Sequence, residues 1–264
     1  MKIYVQNLSN GKVSDDEAQK VVAAVQVQID RDYEPHWGYG AKLVYLGKEP
    51  PPADDVSKRD TGIVYILDEA TIEGALGYHD FTAKGLPVGF IFIDIAEKIG
   101  EPWSNTASHE ILEMLGDMEI NVLYMGPHPT RRRNVFHWGE MCNAVQSESY
   151  EIDGVIVSNF VLPLYFTANA EGGAKNDFMG SGLKSFGVNR GGYIGFYDPR
   201  KGDYDTYMME GDVVAAGRFK IKSERGLAGR SQRYEVQSRG NFLSDLVGRI
   251  VARWRKRRKQ RADA

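Results

Sequence analysis

Residues 104–117 read Ser-Asn-Thr-Ala-Ser-His-Glu-Ile-Leu-Glu-Met-Leu-Gly-Asp. On a helix His109, Glu113 and Asp117 stand at i, i+4 and i+8, which puts three metal-binding groups on one side with Glu110 next to the first. Hydrolysis at a zinc ion carried by a helix needs two ligands one turn apart, so that both reach the same ion. It also needs a carboxylate at the next position to take a proton from water. His109-Glu110-Ile111-Leu112-Glu113 supplies this pattern, with Glu where a second His is usual. The competing role is an amphipathic helix: Ile111, Leu112, Met114 and Leu115 fill a core while His109 and the acids face water.

A third ligand must come from elsewhere. Glu140, in His137-Trp-Gly-Glu-Met-Cys-Asn, follows the helix at the distance from which such sites draw a Glu, and Asp117 and His137 compete with it. The expected set is therefore His109, Glu113 and Glu140 on zinc, with Glu110 as the general base that later returns the proton to a leaving amine. Two anionic ligands cancel the ion's charge, so bound water is less acidic than in a two-His, one-Glu site, and manganese or iron fits the oxygen-rich set too. His79 or Tyr78, in Gly-Tyr-His-Asp at 77–80, is the candidate to stabilise an oxyanion, against a simple hydrogen-bonded corner. A metal-free hydrolase using Glu110 and Glu113 as an acid–base pair is a weak reading, because residues three apart on a helix point nearly the same way and crowd one side of a scissile bond instead of flanking it. His36 and His128 read as turn or surface residues.

The elements that position these groups are read from periodicity. Lys2 to Gln6 alternates as a strand, and Ser14-Asp-Asp-Glu17 opens a helix as a capping box, running to about Asp32. Ala41 to Leu46, Gly62 to Leu67 and Val88 to Ile95 read as strands, an order that resembles the N-terminal lobe of zinc peptidases of the zincin type, which implies that the last strand before the helix, Val88 to Ile95, is a sheet edge. After Phe166 the chain is glycine-rich, without a dinucleotide fingerprint or phosphate-loop lysine, and is read as turns between short strands.

The 264 residues, 42% hydrophobic, suit one large domain with an appendage at the usual ~150 residues per domain. Divided by pattern, residues 1–200 form the main domain, 201–240 short strands and a polar connector, and 241–264 a basic amphipathic helix. The lone Cys142 cannot form an intramolecular disulfide, and neither a secretion signal nor a membrane span is evident, so a cytoplasmic location is expected. The net charge is −3, but residues 249–264 hold eight Arg or Lys against Asp263, a local +7 that leaves −10 on residues 1–248. Leu243, Leu246, Val247, Ile250, Val251 and Trp254 recur at helical spacing just before this run. Packing on the protein's own body and docking elsewhere both fit. Among external ligands for residues 241–261, a partner protein is favoured over an anionic membrane or nucleic acid.

The series Gly-Tyr-His-Asp at 77–80, Ser-His-Glu-Ile-Leu-Glu-Met at 108–114, Glu140-Met-Cys, Val145-Gln146, Gly-Val-Ile-Val-Ser-Asn-Phe-Val-Leu-Pro at 154–163 and Gly-Gly-Tyr at 191–193 resembles a set of largely uncharacterised bacterial and phage proteins described as metallopeptidases. The likeness spans the N-terminal helix to about Asp198 and departs at Met118, where Pro is common, and Asn143, where Asp is common. It implies a zincin-like α+β fold: a mixed sheet with an N-terminal helix and an active-site helix, then a glycine-rich β and irregular region and the basic C-terminal helix. The expectation is a zinc-dependent peptidase or amidase acting on a peptide or protein. The alternative is a catalytically silent zincin-like docking protein that binds through its basic helix.

Overall fold

The computed structural model describes residues 1–56, 60–69, 76–82, 85–170 and 175–211. These form a mixed α+β fold with three sheets. Five strands make the first: β1 (Lys2–Asn7), β2 (Lys42–Tyr45), β3 (Thr61–Leu67), β4 (Gly77–Phe81) and β5 (Pro87–Phe92), in the order β2-β1-β3-β5-β4. The first three and β5 run parallel, and β4 alone is antiparallel, on β5. β3 and β5 are buried along their whole length, as continuous apolar strands covered on both faces are.

The sheet edge beside the helix of residues 103–116 is β4, not Val88 to Ile95. Thr82 N–H donates to Leu86 O (2.8 Å), extending the antiparallel pairing of β4 with β5, and β4 is outermost in the sheet. The apolar run expected to be one strand to Ile95 also divides: β5 stops at Phe92 and helix α3 spans Ile93–Ile99.

Helix α1 (Asp15–Val27) starts where its cap requires, Ser14 Oγ accepting from Glu17 N at 3.1 Å. The reciprocal half of the capping box is replaced, because Glu17 Oε1 accepts from Trp103 Nε1 at 2.7 Å. Its continuation over Gln28–Tyr33 is a π-helical segment, followed by α2 (Glu34–Trp37), which Gly38 ends at φ 77°. Widening the turn brings Gln28, Asp32 and Tyr33 inward, and Gln28 Nε2 donates to Ser158 O at 2.8 Å.

Helix α4 (Trp103–Gly116) carries the H-E-x-x-E run, and every residue from Ser104 to Leu115 is buried. Leu112 and Met114 meet Val64, Ile66 and Ile91 of the first sheet in one apolar cluster with Val21 and Val25 of α1. The opposite face of the sheet packs Ile63, Tyr65, Tyr78, Val88, Phe90 and Phe92 together.

The second sheet, antiparallel, contains β6 (Leu123–Pro127), β7 (Asn134–Trp138), β10 (Tyr193–Asp198) and β11 (Asp203–Met208), ordered β11-β10-β7-β6. Between β7 and β10 in sequence lies the hairpin of β8 (Ser149–Ile152) and β9 (Val155–Ser158), turned at Asp153 and Gly154, both with positive φ. β11 pairs with β10 along its whole length, so one of the short strands expected in residues 201–240 belongs to this sheet. The remainder of the expected short strands and connector, from residue 212 on, and the basic helix expected over 241–264 lie outside the described residues. Among the described residues no helix is long and apolar enough to cross a membrane.

Candidate metal centre

Two close contacts set α4 against its neighbours. A Cβ on Gly77 of β4 would lie 2.7 Å from Thr106 Cγ2 and 3.1 Å from Glu110 Cγ, so only glycine lets the strand come this near. Across the helix, Ser108 Oγ accepts from Ser158 N of β9 (2.7 Å) and donates to Asn105 O (3.0 Å). The helix is thereby held between the edge strand and the hairpin.

Alternation along β4 then selects which side chains meet α4. Gly77 and His79 face the helix. Tyr78 faces the other way, its ring 4.8 Å from that of Phe90, so it is removed from any oxyanion role at this site.

His79 Nδ1 lies 3.2 Å from Glu110 Oε2 and 3.6 Å from Glu113 Oε2. One ligand atom from each of the three residues falls within 4.8 Å of the others, and all three side chains are buried. A second imidazole stands beside them: His109 Nε2 is 3.2 Å from Glu113 Oε1, and the Cys142 amide donates to the same oxygen at 3.3 Å. Glu113 thus turns one oxygen to each imidazole.

The donor set fits a metal on two counts. Four-coordinate zinc with bonds of about 2.1 Å separates its ligand atoms by roughly 3.4 Å, and the His79 separations of 3.2 and 3.6 Å lie on either side of that figure. One imidazole and two carboxylates also converge in the buried interior, and oxygen-rich donors of this kind suit a divalent cation. This buried group can hold a metal ion.

The groups expected from sequence fall in several places. His109, Glu110 and Glu113 all lie on α4, and the residue that completes the buried group with Glu110 and Glu113 is His79, 31 positions before Glu110. Asp117 caps the C-terminus of α4, Oδ1 accepting from Asn121 N (2.7 Å) and Val122 N (3.0 Å). Glu140 is buried and accepts from Asn143 Nδ2. His137, on β7, packs its ring 4.6 Å from Phe186 and 5.7 Å from Phe196, with Nε2 hydrogen-bonded to Pro127 O at 2.9 Å. Burial pushes its pKa down to about 4. His128 shapes a turn as read, Nδ1 accepting from Thr130 N at 3.1 Å, although it is buried rather than on the surface.

Sequence reasoning weighed His79 only as an oxyanion or corner residue. The available signal was the alternation itself, which puts Gly77 and His79 on one face of a strand as soon as 77–81 is taken as strand and not turn. Burial pushes the Cys142 thiol well above its ordinary range, and the Glu113, Glu110 and Glu140 carboxylates add to the shift. Glu140 acts on the Cys142 thiol but lies outside the three-residue group.

Comparison of the chain with models of protein families, with curated proteins and with solved structures gives no match.

Proposed function

We propose that the chain is a zincin-like, metal-dependent peptidase or amidase whose ion is held by His79, Glu110 and Glu113. The observation that carries this reading is the edge-strand imidazole meeting both carboxylates of the H-E-x-x-E helix, His79 Nδ1 standing 3.2 Å from Glu110 and 3.6 Å from Glu113. The order of elements supports the same reading. A strand, a helix and further parallel strands precede the metal helix, and an antiparallel edge strand lies over it, where an extended peptide could add by backbone hydrogen bonds.

A bound divalent ion supplies Lewis acidity, polarising a carbonyl and acidifying water. The chain's own groups do the rest. Glu110 Oε2 faces His79, which leaves its second oxygen to accept a proton from water and return it to the leaving amine nitrogen. His109 and the Cys142 amide fix the Glu113 carboxylate from behind, as hydrogen bonds to ligand carboxylates do. With two carboxylates against one imidazole, the ion keeps little net charge, so hydrolysis is slow and manganese or iron is as suitable as zinc.

The depth of the group favours a second reading. His79, Glu110 and Glu113 side chains are 3%, 5% and 3% exposed, which suits a closed structural site in a catalytically silent docking protein. The two separate in one experiment: protein purified without chelators is assayed for metal by mass spectrometry and for hydrolysis of a peptide library. The peptidase reading requires about one ion per chain and hydrolysis, with both lost in His79→Ala. Metal without hydrolysis selects the structural site, and absence of metal removes both.

A further inference from the structure

Thr106 lies one turn before Glu110 on α4, so Thr106, Glu110 and Glu113 stand at i, i+4 and i+7 along one face of the helix. Gly77 of β4 locates the first two more closely. A Cβ there would lie 2.7 Å from Thr106 Cγ2 and 3.1 Å from Glu110 Cγ, so both side chains border one narrow gap between strand and helix. His79 leaves the same face of β4 two residues on and reaches Glu110 at 3.2 Å. Thr106 is therefore a neighbour of the His79, Glu110 and Glu113 group without being one of its members.

Its hydroxyl breaks a local rule. A threonine inside a helix commonly donates to the carbonyl three or four residues back. Thr106 is 5% exposed, yet Oγ1 is shut off from bulk solvent and has no hydrogen-bond partner in the protein. A buried hydroxyl left in that state costs about 1–3 kcal/mol, which valine of the same shape would avoid. Such a group calls for a partner that the fold itself does not supply. Two polar atoms that share one water stand roughly 5 Å apart, and the side chains of i, i+4 neighbours are separated by about that distance. Glu110 offers the other contact through Oε1, since Oε2 is turned to His79.

We propose that Thr106 is a positioning residue whose Oγ1, together with Glu110 Oε1, holds the water that hydrolysis consumes. This role rests on the peptidase or amidase reading. The water donates one O–H to Glu110 and the other to Thr106 Oγ1, which leaves a lone pair on its oxygen directed at the carbonyl carbon. As the new C–O bond forms, the proton shared with Glu110 passes to that carboxylate, and it is delivered to the amide nitrogen as the C–N bond breaks. Thr106 exchanges no proton and sets only the direction of attack.

The test compares the full wild-type chain with Thr106→Val and Thr106→Ser, each purified without chelators. Metal content by mass spectrometry should be the same in all three. In Thr106→Val, kcat for a peptide substrate should fall about tenfold or more while KM stays within about twofold, and Thr106→Ser should recover most of the loss. High-resolution diffraction adds a readout apart from activity: an ordered water within hydrogen-bonding distance of both Thr106 Oγ1 and Glu110 in the wild type, and none there in Thr106→Val. Wild-type turnover in Thr106→Val, a serine variant as slow as the valine one, loss of metal from Thr106→Val, or no such water in the wild type each overturns the positioning role and leaves the peptidase reading standing. A wild-type chain without metal or without hydrolysis overturns both, because no reaction then consumes the water.

Discussion

His79 Nδ1 on β4 stands 3.2 Å from Glu110 Oε2 on α4, which ties the edge strand of the first sheet to its central helix through polar groups buried on both sides. An ion at this point would clip the two elements together, so metal and stability are linked. Adding zinc or manganese at a hundredfold excess over Kd should raise unfolding stability by about 2.7 kcal/mol, and a chelator should remove the gain. In His79→Ala the melting temperature should become indifferent to both, read by calorimetry. A wild-type protein equally indifferent to metal and chelator would refute the linkage.

Gly77→Ala tests the close approach of β4 to α4. The new methyl would meet Thr106 Cγ2 at 2.7 Å, Phe90 O at 2.8 Å and Glu110 Cγ at 3.1 Å, two of them on the helix that carries the site. Pushing the strand outward should cost about 1–3 kcal/mol in denaturant unfolding and weaken metal binding at least severalfold. Unchanged metal affinity would mean that strand and helix do not need this spacing.

Asp117 and Glu140 separate structural acids from ligand acids. Asp117→Ala leaves the Asn121 and Val122 amides without their acceptor at the end of α4, so stability should fall by about 1–3 kcal/mol while metal content stays the same. Glu140→Gln should also keep its metal. Loss of metal from either variant, with the fold intact by circular dichroism, would return that residue to the ligand set.

His137 gives the fold an acid-sensitive group outside the site. Its folded pKa is depressed to about 4 by burial, against 6.5 for the free side chain. Above pH ~6.5 both states are neutral and His137 contributes no pH dependence. As pH falls from there towards 4 the unfolded state takes up a proton that the folded state refuses, and stability declines by up to about 3 kcal/mol. His137→Gln should flatten this limb of a stability–pH curve measured by urea unfolding. A residual slope is expected from His128, which is lowered by burial and by Arg133 and Arg131.

Much of this architecture is written locally. Ser14 and the acidic turn after it mark the start of α1, and the apolar spacing of Ile111, Leu112, Met114 and Leu115 marks α4 as a buried helix. What local pattern could not resolve are the places where two elements share one composition. Val88 to Ile95 is a single apolar run, yet it holds the end of β5 and the start of α3, because a fully buried strand and a buried helix turn show no polar face to tell them apart. The edge was misplaced for a related reason. Residues 77–81 contain Gly, His and Asp, which read as a turn, and only pairing with β5 makes them a strand. The site inherits that difficulty. His109, Glu110 and Glu113 are visible together through helical spacing, whereas His79 joins them by tertiary contact across the sheet, which no spacing encodes.

The most direct test of the account is anomalous diffraction from crystals of the chelator-free protein soaked with zinc or manganese, recorded at the metal's absorption edge. The account predicts one strong peak within bonding distance of His79 Nδ1, Glu110 Oε2 and Glu113 Oε2. A peak held by Glu140 and His109 without His79, or no peak between these side chains at all, would contradict it.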